Sequence, residues 1–191
     1  MQNIIDNLKS KFDVQKQDIQ KDTLFFVTVS KEQLESVLMY LKEYEHFNYL
    51  TMISVVDYIE QDKFQLTYLI QNIRTHCDIG VRVEISREQA EMTSIHTLWA
   101  TASVYEREIR ELYGIQFPGS PRVEESFVLE GWETIPPMRK EFDTKKYSEE
   151  TFFPREGRYT RDPAKTMEKK MYPEESEFKK EIKKQFRKGQ N

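Results

Sequence analysis

Cysteine occurs once, at Cys77, histidine three times, at His46, His76 and His96, and glycine six times in 191 residues. A single cysteine excludes an intramolecular disulfide and an iron–sulfur cluster held by several thiolates of this chain. Three histidines are few for a metal centre, and no HExxH, Asp-rich metal loop or nucleophile elbow occurs. Neither GxGxxG nor a GxxxxGK loop is present, so the usual backbone cradles for dinucleotides and nucleotide phosphates are missing. No run approaches the roughly 20 apolar residues that cross a bilayer. Charges interrupt the opening MQNIIDNLKSKF, unlike a signal peptide. The expectation is a chain in a reducing cytoplasmic location, without the usual ligand set of a metal centre or the usual cradle for a nucleotide.

What is present is charge and aromatic residues. Hydrophobic residues make up 38% and aromatics 13%, enough for a core, while the mean hydropathy of −0.75 predicts an exposed segment as well. A mass of 23.0 kDa allows one domain with an appendage or two small ones. Abundant Lys and Glu suit a heat-adapted protein. Of 29 Lys+Arg and 33 Asp+Glu, residues 146–191 hold 13 and 9, a balance of +4. The remaining 16 and 24 give residues 1–145 a balance of −8. An acidic body carries a basic tail.

Ile4, Ile5, Leu8 and Phe12 recur at helical spacing. Thr23–Ser30 reads as a strand. Ser30 and Gln33 form an S-x-x-Q capping box ahead of a helix with the stripe Leu34, Val37, Leu38, Leu41. Leu50–Tyr58 and the alternating Phe64, Leu66, Tyr68, Ile70 read as a hairpin closed at Glu60–Lys63. Ile79, Val81, Val83 and Ile85 alternate in the clearest half-buried strand. A short helix is expected around Ser94–Trp99 and a longer one over Ser103–Tyr113, opened by a Ser103/Glu106 capping box. The order predicts an α+β fold: a mixed or antiparallel sheet of about four strands with helices packed on one face, followed by an extended C-terminal tail. All seven prolines fall from Pro118 onward. SFVLEGW reads as one short strand and Glu174–Lys188 as a short helix. The expected organisation is a core over 1–117, an extended segment over 118–143 and a basic tail over 144–191.

The densest chemistry lies in YEREIRELYGIQFPGSP, Tyr105–Pro121. At about 100° per residue, Tyr105, Ile109, Leu112 and Tyr113 share one arc. Glu106 with Arg110, and Arg107 with Glu111, are then ordinary i,i+4 helix pairs, with Glu108 at the edge of the arc. Gly114 is placed to end the helix in the left-handed conformation. Glu106 and Glu108, two apart, face different ways and make a poor acid–base pair. His76 and Cys77, adjacent in an extended stretch, face opposite ways and make no nucleophile–base dyad.

These residues also carry a resemblance. Glu106-Arg107-Glu108, Glu111-Leu112-Tyr113-Gly114-Ile115, Phe117-Pro118-Gly119-Ser120-Pro121, Trp132 and Pro137-Met138-Arg139-Lys140-Glu141-Phe142 resemble the signature of the 30 kDa-type subunit family of respiratory complex I, the NADH-quinone oxidoreductase. That family is also found in energy-converting membrane-bound hydrogenases. FNYLTMISVVDY resembles a further family stretch, and the resemblance spans about Thr23 to Phe142. Ser120 stands where the family has histidine, Ile135-Pro136 where it has Gly-His, and Val123–Glu130 is looser than its pattern. These departures look more like the ferredoxin-linked branch, a membrane-bound hydrogenase or its sulfur-reducing relative, than an NADH–quinone enzyme.

The resemblance implies a non-catalytic subunit on the peripheral arm, at the cytoplasmic side of the cell membrane. It would clamp a hydrogenase-large-subunit-like partner, of the complex I 49 kDa type, beside the iron–sulfur subunits. The resemblance implies no cofactor in this chain: iron–sulfur clusters and a nickel–iron site or quinone pocket would belong to those partners. The interface residues it implies are Glu106, Arg107, Glu108, Arg110, Tyr113, Gly114, Phe117, Pro121, Trp132, Arg139 and Lys140, with the tail along the partner. Arginine suits bidentate contacts and aromatics suit anchoring. A stand-alone enzyme using Glu106, Glu108 or His76/Cys77 has no geometry in its favour. Binding of nucleic acid through the tail's lysines is opposed by the acidic body and by Glu174, Glu175, Glu177 and Glu181.

Overall fold

A computed structural model describes residues 2–152. The chain divides after Phe142 into two units. In the first, α1 (Gln2–Lys11) and α2 (Leu34–Glu43) precede the helix α3 (Ala102–Tyr113), and the strands are β1 (Lys16–Lys21), β2 (Leu24–Thr28), β3 (Tyr49–Tyr58), β4 (Lys63–Asn72) and β5 (Cys77–Ser86). The second unit is described only through α4, Thr144–Phe152, whose first turn is capped by Asp143 Oδ1 accepting the N–H groups of Lys145 and Lys146. The expected helix at Glu174–Lys188 lies outside the described residues. Among the described residues no helix is long and apolar enough to cross a membrane.

The fold is α+β with a mixed five-stranded sheet in the order β1-β2-β5-β4-β3. The pair β2–β5 is parallel and the others antiparallel. Period-two alternation decides the faces: Phe64, Leu66, Tyr68 and Ile70 of β4 are fully buried while the residues between them are half-exposed. Ile79, Val81, Val83 and Ile85 continue that face on β5, and Phe25 and Val27 on β2. The α2 stripe Leu34, Val37, Leu38 and Leu41 is wholly buried, and Ile5 and Leu8 of α1 and Ile109 of α3 join the same core.

The sheet has one strand more than the sequence pattern predicts. KQDIQK shows no apolar alternation and is exposed but for Asp18, which is half-exposed; β1 exists because its backbone pairs with β2, at an edge where charge is tolerated. The Ser30/Gln33 capping box does not form. A 3-10 turn over Lys31–Gln33 intervenes, Gln33 N–H bonds Ser30 O at 3.2 Å, and the Ser30 side chain makes no cap bond. No helix spans Ser94–Trp99 either. The chain makes a single turn in which Leu98 and Trp99 both donate N–H to Ile95 O. SFVLEGW is likewise turn rather than strand.

On the open face the Phe26 ring lies directly over Gly80, its cross-strand partner: a Cβ there would come within 2.2 Å of Phe26 Cδ1. The Arg82 guanidinium stacks on the same ring at 3.9 Å. Gly80→Ala is therefore expected to cost about 1–3 kcal/mol through displacement of that ring, with part regained in the Gly80→Ala/Phe26→Leu double variant, as read by urea denaturation.

Candidate functional site

The signature stretch is built on α3, which runs along the edge strand β3. Three side-chain donors meet carbonyls of that strand or its approach: Trp99 Nε1 to Asn48 O at 3.0 Å, Tyr105 OH to Thr51 O at 2.8 Å and Tyr113 OH to Val55 O at 3.2 Å. An edge strand leaves one row of backbone groups unpaired, and these donors cover part of it. Gly114, at φ +75°, ends the helix, its N–H bonding Arg110 O at 2.8 Å.

Ala102, Glu106 and Ile109 form the buried phase of α3. Glu106 is fully buried. It accepts the Ser94 hydroxyl at 2.6 Å and the Ile95 N–H at 2.8 Å. Ser94 Oγ also lies 3.0 Å from His96 Nδ1. The serine proton is committed to the carboxylate, so Nδ1 is the donor of that contact and carries hydrogen. The Ser103/Glu106 capping box is thereby corrected. Ser103 lies inside the helix with Oγ donating to Ala100 O, and Glu106 serves the Ser94–Ile95 turn. Tyr68, fully buried, has its phenol pushed up by burial and by the Glu106 charge.

The expected i,i+4 pairs do not close. Arg110 contacts Glu124 instead. Arg107 Nη1 lies 3.8 Å from Glu125, with its guanidinium 5.2 Å from the Phe127 ring centre. Glu125 is also held by Arg122 at 2.6 Å. Glu111 accepts three successive N–H groups, from Phe127 at 2.6 Å, Val128 at 2.8 Å and Leu129 at 2.9 Å. Burial pushes its carboxyl up, but those donors and the Arg107 charge outweigh it and hold it below the usual glutamate range. Glu108 is half-buried and makes no ion pair among the described residues.

A second fastening joins residues 138–141 to the sheet. Asp57 is 6% exposed and lies 2.8 Å from Arg87 Nε. Its Oδ2 accepts the Lys140 N–H at 2.9 Å. Arg87 also contacts Glu141, from which Arg139 Nη1 lies 3.6 Å away. Arg139 Nε donates to Tyr113 O at 2.7 Å, and Met138 N–H to Leu112 O at 3.0 Å. Gly114 is required here a second time, because a Cβ would come within 3.2 Å of Arg139 Nη2.

The structure therefore brings Glu106, Arg107, Arg110, Tyr113, Gly114 and Arg139 into one bonded assembly around α3. Phe117 is buried in the core. Trp132 is half-buried, its ring 5.5 Å from that of Phe142. Pro121 and the Lys140 side chain are exposed. Ser120 is buried where the family pattern has histidine. Cys77 Sγ faces Thr75 O and joins no dyad. Among the described residues no group of three His, Cys, Asp or Glu is placed to hold a metal. Sequence reasoning missed Asp57, Arg87 and Ser94. Asp57 had a signal: it shares the inward phase of β3 with Ile53 and Val55, where a charge needs a partner.

Replacing Glu106 by leucine strands two buried donors and is expected to lower unfolding free energy by about 3 kcal/mol, read as a fall in urea midpoint. The Glu111 contribution has the opposite-to-basic pH sign: a depressed carboxyl stabilises above the ordinary glutamate pKa of about 4.3 and loses that stabilisation as pH falls through its folded value. Wild type should exceed Glu111→Gln by about 1–2 kcal/mol at neutral pH. The two should converge as pH falls from the ordinary glutamate range through the depressed folded value, in thermal melts taken across pH.

A profile described as "Respiratory-chain NADH dehydrogenase, 30 Kd subunit" matches residues 27–148. An NADH-quinone oxidoreductase subunit from Moorella thermoacetica is 32% identical over 116 residues, 61% of this chain and 78% of the relative. Its counterpart from Hyphomonas neptunium is 31% identical over 141 residues, 71% and 67% of the two chains. A chain of the membrane-bound sulfane sulfur reductase, an archaeal respiratory membrane complex, shares the fold with a TM-score of 0.76 at 21% identity, over 85% of this chain and 96% of that one. The trypsin-resistant fragment of Nqo5 does so with a TM-score of 0.56 at 21% identity, over 63% and 96%. With the profile spanning well over half its length, the chain belongs to the respiratory-chain NADH dehydrogenase 30 Kd subunit family, a component of complex I-like oxidoreductase complexes.

Proposed function

We propose that this chain is a non-catalytic scaffold of a ferredoxin-linked, membrane-bound electron-transfer complex of the hydrogenase or sulfur-reducing type. It holds a hydrogenase-large-subunit-like partner next to the iron–sulfur subunits of the peripheral arm, on the cytoplasmic face. Clusters and the nickel–iron site or quinone pocket lie in those partners. The observation that carries this reading is the use of the signature charges. Glu106, Glu111, Arg107, Arg110 and Arg139 are spent within the chain on fixing irregular segments, an arrangement that shapes a surface. In this reading the core over 1–117 carries the segment 118–143, which meets the partner, while the tail over 144–191 lies along it. The fold shared over 85% of the chain with a component of a sulfane sulfur reductase supports the sulfur-reducing branch.

A second reading, the 30 kDa-type subunit of an NADH–quinone oxidoreductase (complex I), is favoured by the names of the relatives at 31–32% identity. Affinity purification of the tagged full chain from solubilised native membranes tests both. The large-subunit-like protein and iron–sulfur proteins should co-elute, with reduced ferredoxin rather than NADH driving turnover. NADH-driven turnover would select the second reading. Elution of the chain alone, or turnover by the isolated chain, would overturn the scaffold assignment. Arg107→Ala and Arg110→Ala should lower the yield of assembled complex several-fold while leaving the isolated chain folded by circular dichroism.

A further inference from the structure

The segment after Pro121 is held in place without forming a strand or a helix. Glu111 takes the N–H groups of residues 127–129, Arg107 covers the Phe127 ring, and Arg110 contacts Glu124. Gly131 turns the chain at φ +75°, and Trp132 returns both its N–H, to Leu129 O, and its indole N–H, to Ile135 O, each at 3.1 Å. Fixing so short a loop costs conformational entropy in advance, and a loop fixed in advance loses less when it is bound. Among the side chains it displays, three are large and apolar. Val128 is 70% exposed, and Ile135 and Met138 are about half exposed. A braced, displayed valine is not the scattered surface residue that folding tolerates by default.

The charges beside it decide what it fits. Glu124 and Glu125 are neutralised by Arg110, Arg107 and Arg122. Glu130 and Glu133, both exposed, make no ion pair among the described residues. The loop is therefore an apolar knob flanked by two uncompensated carboxylates, on a body whose residues 1–145 balance at −8. Anionic lipid and nucleic acid are repelled by that arrangement, and a second copy would present the same acidic loop. We infer that Val128 is the central contact of a docking knob that enters an apolar hollow on another protein of the assembly, with Lys or Arg side chains at its rim meeting Glu130 and Glu133. This rests on the scaffold reading above and adds to it the contact surface and its chemistry. The signature arginines then act through the loop: they are positioning residues, and the residues that touch the partner are those they display.

The test uses the full chain, tagged and produced in its native host. Val128→Asp and the Glu130→Lys/Glu133→Lys pair are compared with wild type for yield of co-eluting partner proteins and for thermal stability of the chain alone. Each should cut assembly at least about 10-fold while shifting the midpoint of the isolated chain by less than about 2 °C. In a Cys77→Ser background, Val128→Cys labelled with benzophenone-maleimide should, on illumination of the purified complex, join to a Lys- or Arg-bearing peptide of a different protein. Wild-type-like assembly of both variants overturns the inference, as does a crosslink to lipid, to a second copy or to this chain's own tail. Should wild type itself fail to co-elute with other proteins, the scaffold reading falls with it. Assembly of wild type and variants alike removes only the knob.

Discussion

A carboxylate buried without water must find donors inside the chain, and Glu106 finds them in the turn at Ser94 and Ile95. That requirement fixes α3 against the turn that precedes it. Once α3 is fixed, Tyr105 and Tyr113 reach the carbonyls of the edge strand, and Gly114 redirects the chain. Every later contact of the signature is measured from that helix. An apolar residue at 106 could pack, but it would leave the Ile95 N–H and the Ser94 hydroxyl unpaired, and the turn would lose its reason to lie there.

Glu106 is one of three carboxylates used in the same way. Glu111 gathers the N–H groups of residues 127–129, and Asp57 takes the N–H of Lys140 while pairing with Arg87. Each serves a segment that has no helix or strand to satisfy its backbone. Irregular chain must place its N–H groups somewhere, and water is the usual answer at a surface. Here side-chain oxygens from regular elements take that place, so irregular segments acquire the definite shapes that regular structure would otherwise give. The core of the sheet supplies the rigid base, and the carboxylates carry that rigidity outward to residues 94–95, 127–129 and 138–141.

The sheet and its helices were legible because their side chains repeat with period two or 3.6. Phe64 to Ile70 and Leu34 to Leu41 declare their faces in order of sequence alone. The strand β1 was not legible, since its pairing with β2 is a backbone matter and its side chains are polar. The signature was legible as a resemblance but misread as local helix pairs. Spacing on a helix reports which groups could meet, whereas Arg110 and Glu111 are drawn to partners 14 and 16 or more residues away, whose position depends on the turn at Gly114 and the path beyond it. Glu106 carried a usable sign: it sits in phase with Ala102 and Ile109, and a charge on a buried phase asks for a buried donor.

The internal use of charge also bears on recognition. An arginine that already holds a glutamate, or lies against an aromatic ring, has little field left to steer an approaching partner. Of the signature's cations, Arg107 and Arg110 are committed to Glu125 and Glu124, and Arg139 to Tyr113 O and Glu141. Steering would thus fall to the carboxylates left without ion pairs at the loop, Glu130 and Glu133, and contact energy to the apolar groups the brace holds out. Charged residues at interfaces govern encounter and register more than affinity, while desolvated apolar anchors govern residence. Under the proposed scaffold reading the two tasks are separated by position: charges inside the fold set shape, and Glu130 and Glu133 at the loop would set direction.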